Sequence, residues 1–472
     1  MRPLIKILSV LAIPALLSCQ DEWIFSADSR YSLAFSADTV KMDTVFTGIA
    51  SASAGFMVYN PNDVGLRLDA VMGGGTASPF RMNLDGEGGA AITGLEIPAG
   101  DSLFCFVSVN IPSTDDPSLF HAFDSIRFVM ESGNVQCVRL SAFGQNAVRI
   151  RGRRIGSDTV LTARLPYIIY DSLNVAPGAT LTLQPGVQFY FHRGAVLDIQ
   201  GRIIARGSAD SMIVMRGDRL DNMVAGLPYD LLSGEWGGVL LGSNSYGNVM
   251  SYCDIHGGEW GIKADSAGME DTKLSMSSSI IHNVNGNCLE TTGCRVYIAN
   301  SQITNGGRGC VDMAGGVSEL TFCTIAAFSL WHLADQAVRL SDSRAGSSFP
   351  LEGATFRNCI ITGRHSSEFV VDVADSIRET AAYSVSNSLL MVRDTADVRF
   401  SGVAFENTRN KAYGASNFVN NTLSGYASVF ALDSLSTARG IADSLSVVWP
   451  ADLSGVPRPP SGADAGCYQY KP

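Results

Sequence analysis

The stretch CDIHGGEWG, residues 253–261, gathers the side chains best suited to chemistry. Read as a strand, it alternates so that Cys253 and Ile255 share one face while Asp254 and His256 share the other. Glu259 and Trp260 follow at the next turn, and His282 falls one repeat further on. Carboxylates and imidazoles on one outward face can move protons to and from a substrate, as acid–base cleavage of a sugar linkage requires. Beside an aromatic ring the same groups can bind a sugar without reacting with it. The catalytic candidates are therefore Asp254, His256, Glu259 and His282, and the ligand-binding candidates are Asp254, His256, Glu259 and Trp260. The competing reading is a solvated face with Trp260 packed into a corner. Trp236, in GEWGG, reads as a corner packing residue.

Other chemistries find no support. There is no Walker-type phosphate loop, no GxSxG and no HExxH. No CxxC pair or Cys/His cluster has zinc spacing, so the expectation is no metal and no cofactor. With 34 Lys and Arg against 45 Asp and Glu the net charge is −11, and no basic stripe relieves it, which argues against nucleic acid. The ten cysteines are scattered, unlike a compact disulfide scaffold. Cys105 with Cys137, and Cys288 with Cys310, remain open as pairs.

The elements that must position these groups are strands. The 48 Gly and 17 Pro, with Ser, Thr, Asn and Asp throughout, punctuate the chain into short strands and turns. Residues 31–147 hold alternating runs such as GFMVYN, LRLDAV, LFCFVSVNI and SIRFVM, separated by Gly, Pro and Asp turns, as in a two-sheet sandwich.

A different regularity occupies residues 148–450. The pairs Leu173/Val175, Leu181/Leu183, Phe189/Phe191 and Leu197/Ile199 start at a constant step of eight, with glycines at the corners. Three such sides close one coil of a parallel β-helix, right-handed as parallel crossovers are. Downstream, Cys or Ser two residues before an aliphatic recurs in CDI, SII, SQI, CTI, CII and SLL. Ile255, Ile281, Ile303, Ile325, Ile361 and Leu390 then form one core column, and Met250, Met276, Ile298, Leu320, Phe356 and Val385 another. Cys253, Cys323 and Cys359 share a small-residue column with Ser279, Ser301 and Ser388 and read as core; Cys288 and Cys310 share another with Ile262. Asn300 and Asn305 mark corners.

At the N-terminus, MRPLIKILSVLAIPALLSC has two basic residues and then an apolar run too short to span a bilayer comfortably. A secretory signal is the better reading than an anchor helix or a buried helix. Leu16-Leu17-Ser18-Cys19 resembles the lipobox of bacterial lipoproteins. The resemblance implies removal of residues 1–18, acylation of Cys19 and a linker over 19–30; loss of Arg2 and Lys6 takes the net charge to −13. Several acyl chains would hold the protein on a membrane. Gln20-Asp21-Glu22 resembles the acidic signal that sends Bacteroidetes-type lipoproteins to the outer cell surface.

Two longer blocks extend that likeness. IPAGDSLFCFVSVNI and DSIRFVMESGNVQCVRLSAFGQNA resemble the immunoglobulin-like domain that precedes β-helices in some Bacteroidetes surface lipoproteins. YIIYDSLNVAPGATLTLQPGVQFYFHRGAVLDIQGRIIARGS resembles their parallel β-helix repeats, and residues 451–472 resemble their closing segment, with Cys467 and Gln469 in place of the usual Ala and Glu. That segment is expected to cover the last coil. The implied protein is an all-β, lipid-anchored surface molecule: a β-sandwich stalk, then a right-handed parallel β-helix that binds polysaccharide or a surface protein without catalysis. A polysaccharide lyase or glycosidase is the alternative, and an assembly component a third. The chain lacks the clustered aspartates of a β-helix polygalacturonase and the calcium carboxylates with a nearby basic residue of a pectate lyase. On the noncatalytic reading, Asp254→Ala or His256→Ala is expected to leave stability unchanged.

Overall fold

A computed structural model describes residues 24–472 apart from 115, 117, 225, 330–335, 407–412 and 421–428. Cys19 and the segment around it lie outside the described residues. The chain divides into two compact units, residues 1–146 and 147–472.

The first unit is a β-sandwich because its strands alternate. Ser102–Val109 and Leu66–Met72 each bury every second residue, so each sheet has one apolar face that must meet another. One five-stranded sheet runs Ala34–Phe35, Ala54–Tyr59, Ser102–Val109, Phe80–Leu84, Glu87–Gly89. The other runs Thr39–Phe46, Val135–Gln145, Phe120–Met130, Leu66–Met72, Ala91–Ile97. Phe56 and Phe128 meet edge-on between the sheets with ring centroids 6.2 Å apart. Cys105 is buried in the first sheet and Cys137 is exposed on the second, and both are free thiols.

The second unit is a parallel β-helix built on two long parallel sheets, of 18 and 10 strands among the described residues. The column from Ile255 through Ile281, Ile303, Ile325 and Ile361 to Leu390 is a single continuous register. So is the column from Met250 through Met276, Ile298, Leu320 and Phe356 to Val385. All twelve of these side chains are buried. At the entry, Leu173 pairs with Leu197, one full coil away. Stacking covers each apolar side with the same side of the next coil, so no coil can bury its face alone.

The cysteines follow this packing. The Ser279 hydroxyl accepts from the Cys253 amide at 3.1 Å, and the Ser388 hydroxyl from the Cys359 amide at 2.9 Å. Burial pushes Cys253 up to about 12, so it is a small core residue rather than a nucleophile. Cys288 and Cys310 are both free and buried, each against the other. Their column excludes Ile262, which stacks instead on Leu289 one position further on. The reason is a close approach at Gly261, where an added Cβ would lie 2.1 Å from the Cys288 carbonyl oxygen.

Single-residue corners let the chain change direction between sides. Ser278, Asn300, Phe322, Asn358 and Asn387 have φ between +46° and +56°, the left-handed region, and Asn305 joins them at +59°. Asparagine suits this position because its short side chain can bond locally. The Asn300 side chain instead ties the corner to other parts of the fold, donating to Ser278 Oγ on the preceding coil at 3.0 Å and accepting from Arg458 Nη2 at 2.7 Å. Asn300→Ala is expected to lower stability by roughly 1–3 kcal/mol, from backbone strain and the lost bonds. Asn300→Gly should recover the strain component, which thermal unfolding of the two variants separates.

Two features differ from the sequence reading. Among the described residues the parallel ladder ends at Ala404–Phe405, not at 450. Beyond it, Phe418–Asn420 pairs antiparallel with Val429–Leu432. The closing segment does not cover the last coil either. The Cys467 amide donates to Thr324 Oγ1 at 3.1 Å, the Gly466 amide to the Asn358 carbonyl at 2.8 Å, and the Tyr468 hydroxyl to Gln302 Oε1 at 2.8 Å. The segment thus lies along the outer flank of earlier coils. The cause is an apolar patch on that flank: Ala326, Ile360 and Leu389 face outward and are buried beneath Phe418, Phe430, Leu432 and Ala465. Left bare, such a patch would be costly and sticky.

Candidate functional site

Strand pairing assembles the site across coils. Asp254 and His256 lie on Cys253–His256, flanked on one side by Ile213–Gly217 and on the other by Ile280–Val284. His256 and His282 are register partners, and their rings stack with centroids 4.6 Å apart at 29°. His256 Nδ1 lies 2.9 Å from Asp254 Oδ1, and His282 Nε2 lies 3.2 Å from the same oxygen.

The third carboxylate comes from elsewhere. The short 3-10 turn Tyr229–Leu231 brings Asp230 Oδ1 to 2.8 Å from His256 Nε2. Arg216 Nη1 closes the chain 2.5 Å from the same Asp230 oxygen. His256 therefore has a carboxylate on each ring nitrogen, and both nitrogens must be donors, which makes the ring an imidazolium.

Electrostatics agree with that assignment. Burial alone would push His256 down, but the charge of Asp254 and the hydrogen bonds to Asp230 and Asp254 raise it to about 9. Burial would raise Asp254, yet the charge and hydrogen bond of His256, with a further bond from His282, hold it well below the usual carboxylate range. Asp230 is likewise held low: burial opposes ionisation, but the hydrogen bond and charge of His256 and then Arg216 outweigh it.

The arrangement is an ion-pair relay with its central ring inside the protein. Only 6% of the His256 side chain is exposed, against 24% for Asp254 and 22% for His282. Ligating atoms of Asp254, His256 and His282 lie within 4.8 Å of one another, close enough for a cation in principle. An imidazolium donating from both nitrogens has no lone pair to offer one, so a cation here would have to displace a proton and one of the His256 hydrogen bonds. Nor can a protonated, doubly bonded ring serve as a general base.

The predicted groups are thus only partly brought together. Asp254, His256 and His282 converge, whereas exposed Glu259 stands apart, its Oε1 accepting from Asn285 Nδ2 at 2.9 Å. Trp260 is half-buried, its indole donating to the Val239 carbonyl at 3.3 Å with Lys263 Nζ 4.3 Å from the ring centroid. A cleft of about 410 Å³ opens beside His282, lined among others by Asn283, Gln302, Ser454 and Tyr468. Sequence reasoning missed Arg216, although it follows Met215, the register partner of Ile255, and so is readable from the column. Asp230 carried no periodic signal, because it sits in an insertion between strands.

Fold and site together define a β-sandwich and a parallel β-helix in one chain, with a buried ion-pair relay on the helix's outer flank. No family model matches the chain, and no curated protein matches it. Among solved structures, a family 123 glycoside hydrolase from Clostridium perfringens is 8% identical with a TM-score of 0.19, over 25% of this chain and 30% of its own. The similarity thus spans less than a third of that enzyme's length. Pectate lyase Pel9A is 10% identical over 69% of this chain and 88% of its own, with a TM-score of 0.32. The catalytic domain of a GH87 α-1,3-glucanase in complex with nigerose is 10% identical over 75% and 87%, with a TM-score of 0.21. None of these similarities assigns a role to a residue of this chain.

Proposed function

We propose that this protein is a lipid-anchored, surface-displayed binding protein whose β-helix holds glycan on its exterior without cleaving it. The observation that carries the noncatalytic part is His256: buried, charged and bonded to carboxylates at both nitrogens, it is occupied in holding the coils. An enzyme using this cluster would need a group able to give or take a proton at a substrate, and the buried His256 ring, bonded at both nitrogens, is not free to do so. Glycan is favoured over a flat protein partner because the coils carry a largely polar cleft of small-molecule size.

The anchor is tested by Cys19→Ser. Wild-type protein is expected to incorporate labelled palmitate and sediment with outer membranes, while the variant takes up no label and becomes soluble. Equal membrane association of the two would remove the anchor from this reading. The binding part is tested on a glycan array with product analysis of every bound glycan. Retention of intact glycan is the expected result, and release of shortened or unsaturated sugars would establish the lyase or glycosidase alternative.

A further inference from the structure

A second cleft, of about 590 Å³, lies on a different side of the coils from the His256 relay, and it is built almost wholly of polar side chains. Its floor is part of an outward column: Glu290, Asp312 and Arg339 are successive register partners on three coils. Arg344, on the hairpin Ser343–Arg344 with Ser347–Ser348, reaches back over this column. Its Nη1 lies 3.2 Å from Glu290 Oε1 and its Nη2 2.8 Å from Asp312 Oδ1. Asn287 Nδ2 sits between the same two carboxylates, donating to Glu290 Oε2 at 3.2 Å and Asp312 Oδ2 at 3.4 Å. Arg339 Nη1 approaches Asp312 Oδ1 at 3.7 Å, while its Nη2 pairs with Asp372 at 2.5 Å.

The lining holds three guanidiniums, Arg308, Arg339 and Arg344, and two carboxylates, Glu290 and Asp312. With Asp372, which pairs with Arg339 from outside the lining, three carboxylates balance the three guanidiniums, but Arg339 and Arg344 take all of those contacts and Arg308 is left without one. Its side chain is exposed and makes no ion pair among the described residues. The chain as a whole carries a net charge of −11, so a guanidinium left without an ion-pair partner at the edge of a preformed cleft stands out against its surroundings.

We infer that this cleft binds an anionic sugar unit, with Arg308 pairing its carboxylate or sulfate and the Glu290–Asn287–Asp312 group meeting its hydroxyls. The class follows from three properties on the page. The volume falls within the roughly 300–1,000 Å³ of small-molecule sites. The polar lining excludes an apolar ligand and suits one dense in hydroxyls. A guanidinium fork pairs with carboxylate and sulfate oxygens through two parallel hydrogen bonds, which a neutral sugar cannot return. Arg344 holds both carboxylates in place beforehand, so little ordering is required on binding. This inference rests on the glycan-binding reading above and names its ligand class.

The test is calorimetric titration of the full chain with four probes: trigalacturonate, its methyl ester, a carrageenan tetrasaccharide and the matching neutral agarose tetrasaccharide. Trigalacturonate is expected to bind at least tenfold tighter than its ester if the cleft reads a carboxylate. Carrageenan is expected to exceed agarose by the same margin if it reads a sulfate. Arg308→Ala should abolish that preference and Arg308→Lys should keep part of it, with far-ultraviolet dichroism unchanged because the side chain is exposed. Equal affinity for charged and neutral probes, failure of both anionic probes to bind, or an Arg308→Ala variant that keeps the preference would each overturn the inference. Equal binding of charged and neutral probes by the wild-type chain would leave the glycan-binding reading standing while removing this inference from it.

Discussion

His256→Ala is expected to destabilise the β-helix by about 3–5 kcal/mol, the usual cost of breaking a buried ion pair by removing one partner. The variant leaves Asp254 and Asp230 facing an empty, desolvated space, with only His282 and Arg216 to balance them. Burial of His256 replaces the expectation, drawn from strand alternation, that the position is a solvated face where substitution is neutral. Denaturant unfolding followed by tryptophan fluorescence measures the effect, since the Trp236 indole bonds to the His256 backbone. A change below about 0.5 kcal/mol, the ordinary range for surface substitutions, would show that the relay is not buried in solution.

The same relay fixes a pH window. His256 is raised in the folded state from 6.5 to about 9, so the stability it supplies is full below its unfolded value and is lost as pH rises through about 9. Asp254 and Asp230 are lowered, so their contribution is present above the ordinary carboxylate range and is lost as pH falls through it and below. Wild-type stability should therefore be flat between about pH 5 and 6 and fall towards both ends. In His256→Ala the alkaline fall attributable to this ring should vanish, which distinguishes loss of the imidazolium from loss of packing.

Trp236→Ala is expected to have the second large effect, about 3–5 kcal/mol, in line with buried aromatic truncations. The indole is 1% exposed and stacks on Phe191 with centroids 4.2 Å apart at 10°. Its Nε1 donates to the His256 carbonyl at 2.8 Å, so it also holds the backbone from which the relay is built. Trp236→Phe should restore much of the packing but not that bond. If the bond positions His256, the Phe variant will retain most of its stability while its alkaline transition moves down towards the ordinary histidine range. An unchanged transition would make Trp236 a packing residue alone.

The gain and the limit of sequence reading can be traced to particular residues. Ile255, Ile281 and Ile303 were legible because a coil repeats one side chain environment at a near-constant step, and burial leaves few residue types able to fill it. The same periodicity exposed the Cys253 column as core packing. Asp254 and His256 were correctly placed on the outward side, since alternation along a strand is a local property. Whether outward meant solvent-exposed was not local, because it depended on Tyr229–Leu231 folding over them. Glu259 looked equally eligible in the sequence, five residues from Asp254, but Gly257 and Gly258 turn the chain before it.

By itself, then, the sequence determined the all-β architecture, the core columns and the corner asparagines, because each follows from short-range alternation repeated down the chain. The tertiary structure alone decided that an imidazolium sits between Asp230 and Asp254, that Arg344 bridges Glu290 and Asp312, and that the closing segment lies along earlier coils rather than on the final one. Those contacts join residues from about 25 to more than 150 positions apart through insertions and loops that have no period. Charge and hydrogen bonding act through space, and no spacing rule along the chain encodes which loop returns to which coil.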